Sequence, residues 1–322
     1  MSRKILVCDG VAKKGIEYLK SKGFECVEFE KKDEESVAAV AGEYEAIIVR
    51  SATKITPKII KAGVPKLKIL GRAGVGYDNI NIDAASENGV VVMNSPNATT
   101  VSVAELAAGM VLSIARKIPG ADAKMKKNVW DKKSFMGREI NGKTLGVLGS
   151  GRIGIETAKR LQAFNMKVMC YDPYAKPEVI KGYGFELVSF DKLISEADVI
   201  TLHMPKTKET TNMLNKEVFA KMKDEVILIN CARGGIINEA DLLETLNTNP
   251  KKFWGVGLDV FESEPPVKWD LINHELVCAT PHIGGSTKEG QACAAFQICE
   301  QIVTGLTEGK YTNAVNLDKI KK

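Results

Sequence analysis

Two rhythms of apolar and polar residues alternate along the chain. Short β-branched runs at residues 4–8, 24–29, 46–49, 68–70 and 90–93 predict strands, and the segments between them carry apolar residues at helical spacing. This alternation predicts a parallel, doubly wound sheet. A longer helical pattern follows over residues 99–117, with Val103, Leu106, Ala107, Met110, Val111 and Ile114 at three- and four-residue spacing. Its apolar face is wide, so the helix is expected to be mostly buried and is a candidate dimer element. A basic, polar stretch from Lys124 to Lys133 leads into a second series, with strands expected at 144–148, 167–171, 199–202, 226–230, 254–259 and 276–279.

Two α/β units therefore share the chain. A last helical pattern from Lys288 to Thr307 ends near Gly309, and residues 313–315 could return as one more strand. The second sheet already has six strands, so this closing piece is expected to pack on the first unit. The organisation implied is a domain of residues 95–284 inserted between the two pieces, 1–94 and 285–322, of another.

A chain of 322 residues accommodates two domains, and with 44% hydrophobic residues it can bury a sizeable core. The 26% charged residues and the lack of low-complexity tracts exclude a disordered or fibrous protein. The net charge of +5, part of it at Lys319, Lys321 and Lys322, is too small to argue for nucleic acid. Seven cysteines, with no C-x-x-C pair, are expected as free thiols in a reducing, cytoplasmic setting, with neither disulfides nor a metal site. The apolar run before Asp9 is too short for a signal peptide, and Glu105 interrupts the most apolar window, so neither export nor a membrane is expected.

The expected strand 144–148 runs into Gly149-Ser150-Gly151-Arg152-Ile153-Gly154, a G-x-G-x-x-G that opens a helix. The first glycine permits the tight turn, the second lets backbone approach a pyrophosphate, and the third allows close packing of helix on strand. The helix amides then face the negative charge. The next strand ends at Asp172, 23 residues beyond Gly149, where a carboxylate would accept hydrogen bonds from ribose hydroxyls and repel a 2′-phosphate. The cofactor expected is NAD, bound by a Rossmann unit. The first unit has no such glycine pair.

Three ionisable residues sit just past successive strand ends: Arg233, Glu264 and His282. Ligands of open α/β sheets bind beyond the carboxyl ends of strands, so topology could bring the three together. His282 is one of three histidines, in the loop Thr280-Pro281-His282-Ile283-Gly284-Gly285-Ser286, which is too rich in small residues to be a core layer. Arg50 and Arg72 also follow strands, and each could face the cleft or be a surface ion-pair partner. The amides of Gly74 and Val75 are suited to a small anion nest. Lys132, Lys133 and Arg138 are weaker candidates on a solvated face.

The segments Asn230-Cys231-Ala232-Arg233-Gly234-Gly235, Asp259-Val260-Phe261-Glu262-Ser263-Glu264-Pro265-Pro266 and Pro281-His282-Ile283-Gly284 resemble the Arg, Glu and His motifs of the D-isomer-specific 2-hydroxyacid dehydrogenases. Val49-Arg50-Ser51-Ala52-Thr53-Lys54 and the run from Gly71 to Asn79 are similar to the branch that acts on 3-phosphoglycerate. The resemblance implies a Rossmann domain inserted into a flavodoxin-like substrate domain. It implies a general base at His282, a partner carboxylate at Glu264 and a carboxylate clamp at Arg233. It further implies substrate contacts from Arg50, Ser51, Arg72, Gly74 and Val75, and cofactor contacts from Gly149, Gly151, Arg152, Ile153, Gly154, Asp172, Cys231, Ala232, Asp259 and Gly284. Glu262 competes for the acidic role, but the motif places the functional Glu directly before the proline, leaving Glu262 as a solvated acid. Cys231 is expected to line or pack the site rather than attack.

The activity implied is NAD-dependent oxidation of 3-phosphoglycerate, the first step of phosphorylated serine synthesis. The partner expected is a small phosphorylated hydroxy acid, with a homodimer or homotetramer and no nucleic acid or membrane. The chain ends at Lys322, so serine feedback through a C-terminal regulatory domain is not expected. The alternatives are a glyoxylate or hydroxypyruvate reductase or another D-2-hydroxyacid dehydrogenase, and, in another class, an NAD-sensing corepressor-like scaffold.

Overall fold

A computed structural model describes residues 3–320. Lys321 and Lys322 of the basic tail, and the first two residues of the expected substrate domain, lie outside the described residues. The chain divides into two compact units, Met1–Thr100 with Gly285–Lys322, and Val101–Gly284. The sequence reading puts the joins at 94/95 and 284/285.

The first unit runs β1 (Arg3–Cys8), α1 (Lys13–Ser21), β2 (Phe24–Phe29), α2 (Glu34–Ala41), β3 (Ala46–Val49), α3 (Pro57–Gly63), β4 (Ile69–Arg72), α4 (Ile82–Glu87) and β5 (Val91–Asn94). Its strands pair in parallel in the order β2-β1-β3-β4-β5, the flavodoxin-like arrangement. Helix starts are written in the sequence: Asp33 and Asn81 each accept a backbone N–H three residues on, capping α2 and α4.

The second unit contains α5 (Thr100–Ala115) from Val101 onward, α6 (Ile118–Met125), β6 (Thr144–Leu148), α7 (Arg152–Gln162), β7 (Lys167–Tyr171), α8 (Pro177–Gly182), β8 (Glu186–Leu187), α9 (Phe190–Glu196), β9 (Val199–Leu202), α10 (Lys216–Lys221), β10 (Val226–Asn230), α11 (Glu239–Thr248), β11 (Phe253–Leu258) and β12 (Val277–Ala279). Its order, β12-β11-β10-β9-β6-β7-β8, is the Rossmann arrangement, with seven strands rather than six. The extra strand, β8, has only two residues, too few to show a period. The segment after α5 also differs from the expectation. Lys117 adopts φ 54° and breaks the helix, and Pro119 in the first turn of α6 starts another.

Helix α5 packs Val103, Ala107, Met110, Val111 and Ile114 into the core of its own unit. The wide face that suggested a dimer element is therefore accounted for within the unit.

The closing helix α12 (Lys288–Glu308) belongs to the first unit, where Ala295, Ile298, Cys299 and Ile302 pack with Ile5, Val7 and Ile69. It ends at Gly309 in the left-handed conformation, φ 68°. Residues 313–315 make a single antiparallel bridge, Met93 to Ala314, rather than a strand. The reason is the next residue. Asn316 is fully buried, accepting the Val92 N–H at 2.9 Å and donating to Val90 O at 3.0 Å and Ser86 Oγ at 3.1 Å.

Of the seven cysteines, all free, Cys8, Cys170, Cys231 and Cys299 are buried, Cys26 and Cys278 are half-buried and Cys293 is exposed. Burial pushes the thiols of Cys8, Cys170 and Cys299 up to about 12. Among the described residues no helix is long and apolar enough to cross a membrane.

Replacing Asn316 by Ala removes the side-chain partner of the buried Val92 N–H and Val90 O, while Ser86 Oγ keeps its bond to Ile82 O, and should destabilise the first unit by about 2–4 kcal/mol. The check is the urea midpoint of that unit, which an inert side chain would leave at the wild-type value.

Candidate active site

The neighbouring strands β10, β11 and β12 deliver Arg233, Glu264 and His282 to one edge of the second sheet, each from the loop leaving a carboxyl end. His282 Nδ1 lies 2.6 Å from Glu264 Oε2. With Glu264 ionised, Nδ1 carries the proton and donates, which leaves Nε2 as the ring's acceptor. The hydrogen bond and charge of Glu264, helped by Asp259, raise the His282 pKa above the ordinary imidazole value against partial burial and the Arg233 charge. Burial pushes the Glu264 carboxyl up, but His282, the Phe261 N–H and Arg233 together bring it below the ordinary range. Arg233 thus acts electrostatically on both members of the pair, while its Nη1 donates to Ala232 O at 2.7 Å.

Two residues absent from the expected catalytic set build these loops. Asn230, buried at the end of β10, donates to Arg233 O at 2.9 Å and accepts the Ala232 N–H at 3.0 Å. Asp259, expected near the nicotinamide end of the cofactor site, is 1% exposed, and both its oxygens are engaged by the loop 280–284. Thr280 Oγ1 at 2.6 Å and the Ile283 N–H at 2.8 Å donate to Oδ1, and the Gly284 N–H at 2.8 Å donates to Oδ2. These three bonds wrap the loop 280–284 around one carboxylate and hold His282 at φ 52°, a conformation uncommon for a non-glycine residue.

Glu262 is exposed but not merely solvated: its carboxylate accepts the Glu239 N–H at the start of α11, at 3.0 Å. Cys231 is buried, its Sγ 3.7 Å from Met110 Sδ, and desolvation pushes its thiol far up, so it is a packing group. Arg138 binds Glu225 O at 2.6 Å and lies over the Trp254 ring, which makes it a structural residue of this unit. Lys132 is exposed in the polar segment that follows α6.

Further along the same edge, β6, β7 and β9 present the glycine loop, Asp172 and His203. Gly149 has φ 93°, and a Cβ on it would lie 2.7 Å from the His203 carbonyl. Gly154 is packed so that a Cβ would meet Gly149 O at 2.1 Å, whereas one on Gly151 would project into open space. The N-terminus of α7, at Arg152, has no side-chain cap, and Ile153 packs inward. Open space beside uncapped helix amides fits a pyrophosphate. Asp172 accepts the Ser150 N–H and the Tyr174 N–H at 2.9 Å, and Ser150 Oγ at 3.1 Å. Fixed in this way at the end of β7, it suits a ribose diol.

His203, which the sequence reading passed over, accepts or shares a hydrogen bond with Thr201 Oγ1 at 2.9 Å, and burial lowers its pKa to about 3. It is neutral at any physiological pH.

In the first unit Asp9 does for one loop what Asp259 does in the second. Its carboxylate accepts the Arg50 N–H at 2.9 Å, the Thr53 N–H at 3.0 Å and Thr53 Oγ1 at 2.6 Å, and Asn79 donates to Arg50 O and Thr53 O, both at 2.7 Å. Arg50 and Ser51 are therefore displayed on a pinned turn. Arg72 folds its Nη1 back to Ala73 O at 2.9 Å, over Gly74. The Gly74 N–H is taken by Arg72 O at 2.9 Å, so the expected anion nest is reduced to the Val75 amide.

Residues 108–284 match the family model of the D-isomer specific 2-hydroxyacid dehydrogenase, NAD binding domain. The chain is 44% identical over 319 residues, 99% of its length, to a D-3-phosphoglycerate dehydrogenase of Archaeoglobus fulgidus, and spans 60% of that relative. In structure it is similar to a glyoxylate reductase from Paecilomyes thermophila, with TM-score 0.88, 31% identity and 98% of each chain covered. It is also similar to an NAD-dependent formate dehydrogenase from Staphylococcus aureus in complex with NAD, with TM-score 0.84, 27% identity, and 97% and 98% of the two chains covered.

Replacing Glu264 by Gln removes the charge that stabilises the imidazolium, so the His282 pKa should fall. Histidine-selective NMR titration measures this directly, because the chain has only three histidines. A His282 titration unchanged by the substitution would disconnect the pair.

Proposed function

The chain belongs to the D-isomer-specific 2-hydroxyacid dehydrogenase family, and on that footing we propose that it oxidises D-3-phosphoglycerate to 3-phosphohydroxypyruvate with NAD. The observation that carries the reading is the 2.6 Å bond from His282 to Glu264, which leaves Nε2 able to accept a proton, with Arg233 acting on both. The Gly149–Gly154 loop, the α7 amides and Asp172 would hold the NAD, which when bound would supply the hydride acceptor.

His282 Nε2 takes the C2 hydroxyl proton as the carbonyl forms, and Glu264 stabilises the resulting imidazolium. The Arg233 guanidinium clamps the substrate carboxylate through its planar fork, which pairs with both oxygens. Asp259 contributes by holding the base in place, and Cys231 and Ala232 by lining the site. In this reading the turn with Arg50 and Ser51, and the Arg72 and Val75 segment, recognise the second anionic group, the phosphate. The 44% identity to a D-3-phosphoglycerate dehydrogenase supports the phosphorylated substrate over an unphosphorylated one.

The base must be neutral to accept a proton, so kcat/KM for oxidation should rise with pH through a pKa above the ordinary imidazole value. A substrate screen following NADH absorbance decides the rest. 3-Phosphoglycerate should be preferred to lactate, glycerate and the reverse substrate glyoxylate, and His282→Ala should lower kcat by about 10²–10⁴-fold. Arg50→Ala should raise KM for 3-phosphoglycerate by about ten-fold or more and spare unphosphorylated acids. A preference for glyoxylate would favour the reductase reading, and NADH binding without any turnover would favour a scaffold.

Assembly as a homodimer or homotetramer in the cytoplasm belongs to the same reading. In place of α5, the segment from α6 onward carries the exposed apolar side chains Ile118, Met125, Val129, Trp130 and Met136. Trp130→Asp with Met136→Asp should yield monomers in light scattering. An unchanged mass would remove this segment from the interface.

A further inference from the structure

We propose that Glu239 is a positioning residue for the Glu264–His282 pair, acting through a reciprocal brace between the start of α11 and the loop that leaves β11. The proposal rests on the dehydrogenase reading for its kinetic consequences and on geometry for its structural ones.

Asn238 caps α11 by accepting the Asp241 N–H at 3.0 Å, which fixes the first turn of the helix. At the next residue the chain makes an exchange. The Glu239 N–H donates to Glu262 Oε1 at 3.0 Å, and the Glu262 N–H donates to a Glu239 carboxylate oxygen at 2.6 Å. Each carboxylate thus binds the other residue's backbone, and the loop is tied to the helix at Glu262.

The same loop is seated on one side by Gly234. A Cβ there would fall 1.7 Å from Phe261 O and 2.1 Å from its carbon, so backbone rests directly on backbone. On the other side the Phe261 N–H donates to Glu264 Oε1 at 3.1 Å. Fixed at Phe261 and Glu262, the loop leaves Glu264 Oε2 as the end that reaches His282.

The brace persists against electrostatic opposition. Glu239, Glu262 and Glu264 are like charges, and burial together with the other two carboxylates pushes the Glu239 carboxyl above its ordinary range. The charges of Glu264, Asp259 and Arg233 act on His282, and the charges of Glu239 and Glu264 act on each other. In this proposal Glu239 reaches the imidazole through the position of the loop rather than through its field. Geometry and charge then predict opposite behaviour for two conservative variants. Glu239→Asp keeps the charge but withdraws the acceptor by one methylene, whereas Glu239→Gln removes the charge and keeps an oxygen in reach of the Glu262 N–H.

The test uses the full chain, with histidine NMR titration and steady-state kinetics on both variants. Glu239→Asp should lower the His282 pKa toward the ordinary imidazole value and reduce kcat about ten-fold, with KM for NAD changed less than about two-fold. Glu239→Gln should restore both. A Glu239→Asp variant with the wild-type His282 titration would overturn the brace, and so would a Glu239→Gln variant as impaired as Glu239→Asp. Should the wild type oxidise no hydroxy acid, the dehydrogenase reading fails, while the titration still decides the brace.

Discussion

Asp259 carries its carboxylate out of water at the end of β11, and such a charge persists in a fold only where donors surround it. The donors it finds all lie on the loop that follows β12. One charge that must be satisfied thereby dictates the path of five residues and holds His282 in a backbone conformation it would not otherwise keep. Removing the acid would free the loop to relax, and the imidazole would lose its fixed approach to Glu264. The three hydrogen bonds to Asp259 offset both its desolvation and the strain at His282, which is how a fold stores constraint at a functional site.

Asp9 applies the same physics at the carboxyl edge of the first sheet. Asp9 itself has positive φ, 70°, and it gathers donors from a loop beyond the neighbouring strand, so that Arg50 and Ser51 sit on a turn defined by one acid and one amide. Parallel sheets place all their carboxyl ends on one edge. Loops there are long enough to carry chemistry, and short acidic side chains at strand ends are a natural means of ordering them.

Strand positions were legible because parallel strands buried on both faces read as unbroken apolar runs. The glycine loop and Asp172 were legible because their spacing is set by the backbone of a βαβ unit. Two-residue β8 carries no periodic signal, and α6 starts where a left-handed Lys117 and a proline end the helical pattern, ahead of the polar stretch that begins at Lys124. At the site, the residues that touch one another through side chains, His282 and Glu264, stood at strand ends that the pattern located. The backbone contacts of Asp259, Asn230, Asp9 and Glu239 were not legible, because nothing in a one-dimensional pattern marks which main-chain groups a fold will leave needing a partner. Asp259 stood in a quoted motif, but adjacency to the catalytic loop looks the same whether an acid faces a ligand or the loop itself.

The distribution of sulfur has a practical consequence. Four of the seven thiols are buried, and those held near 12 are almost entirely protonated at neutral pH, which makes them poor nucleophiles toward electrophilic reagents. Cys293 is the exposed thiol, in the second turn of α12. A maleimide dye added briefly to the native protein would therefore label that helix first, giving an optical reporter on the first unit without cysteine engineering.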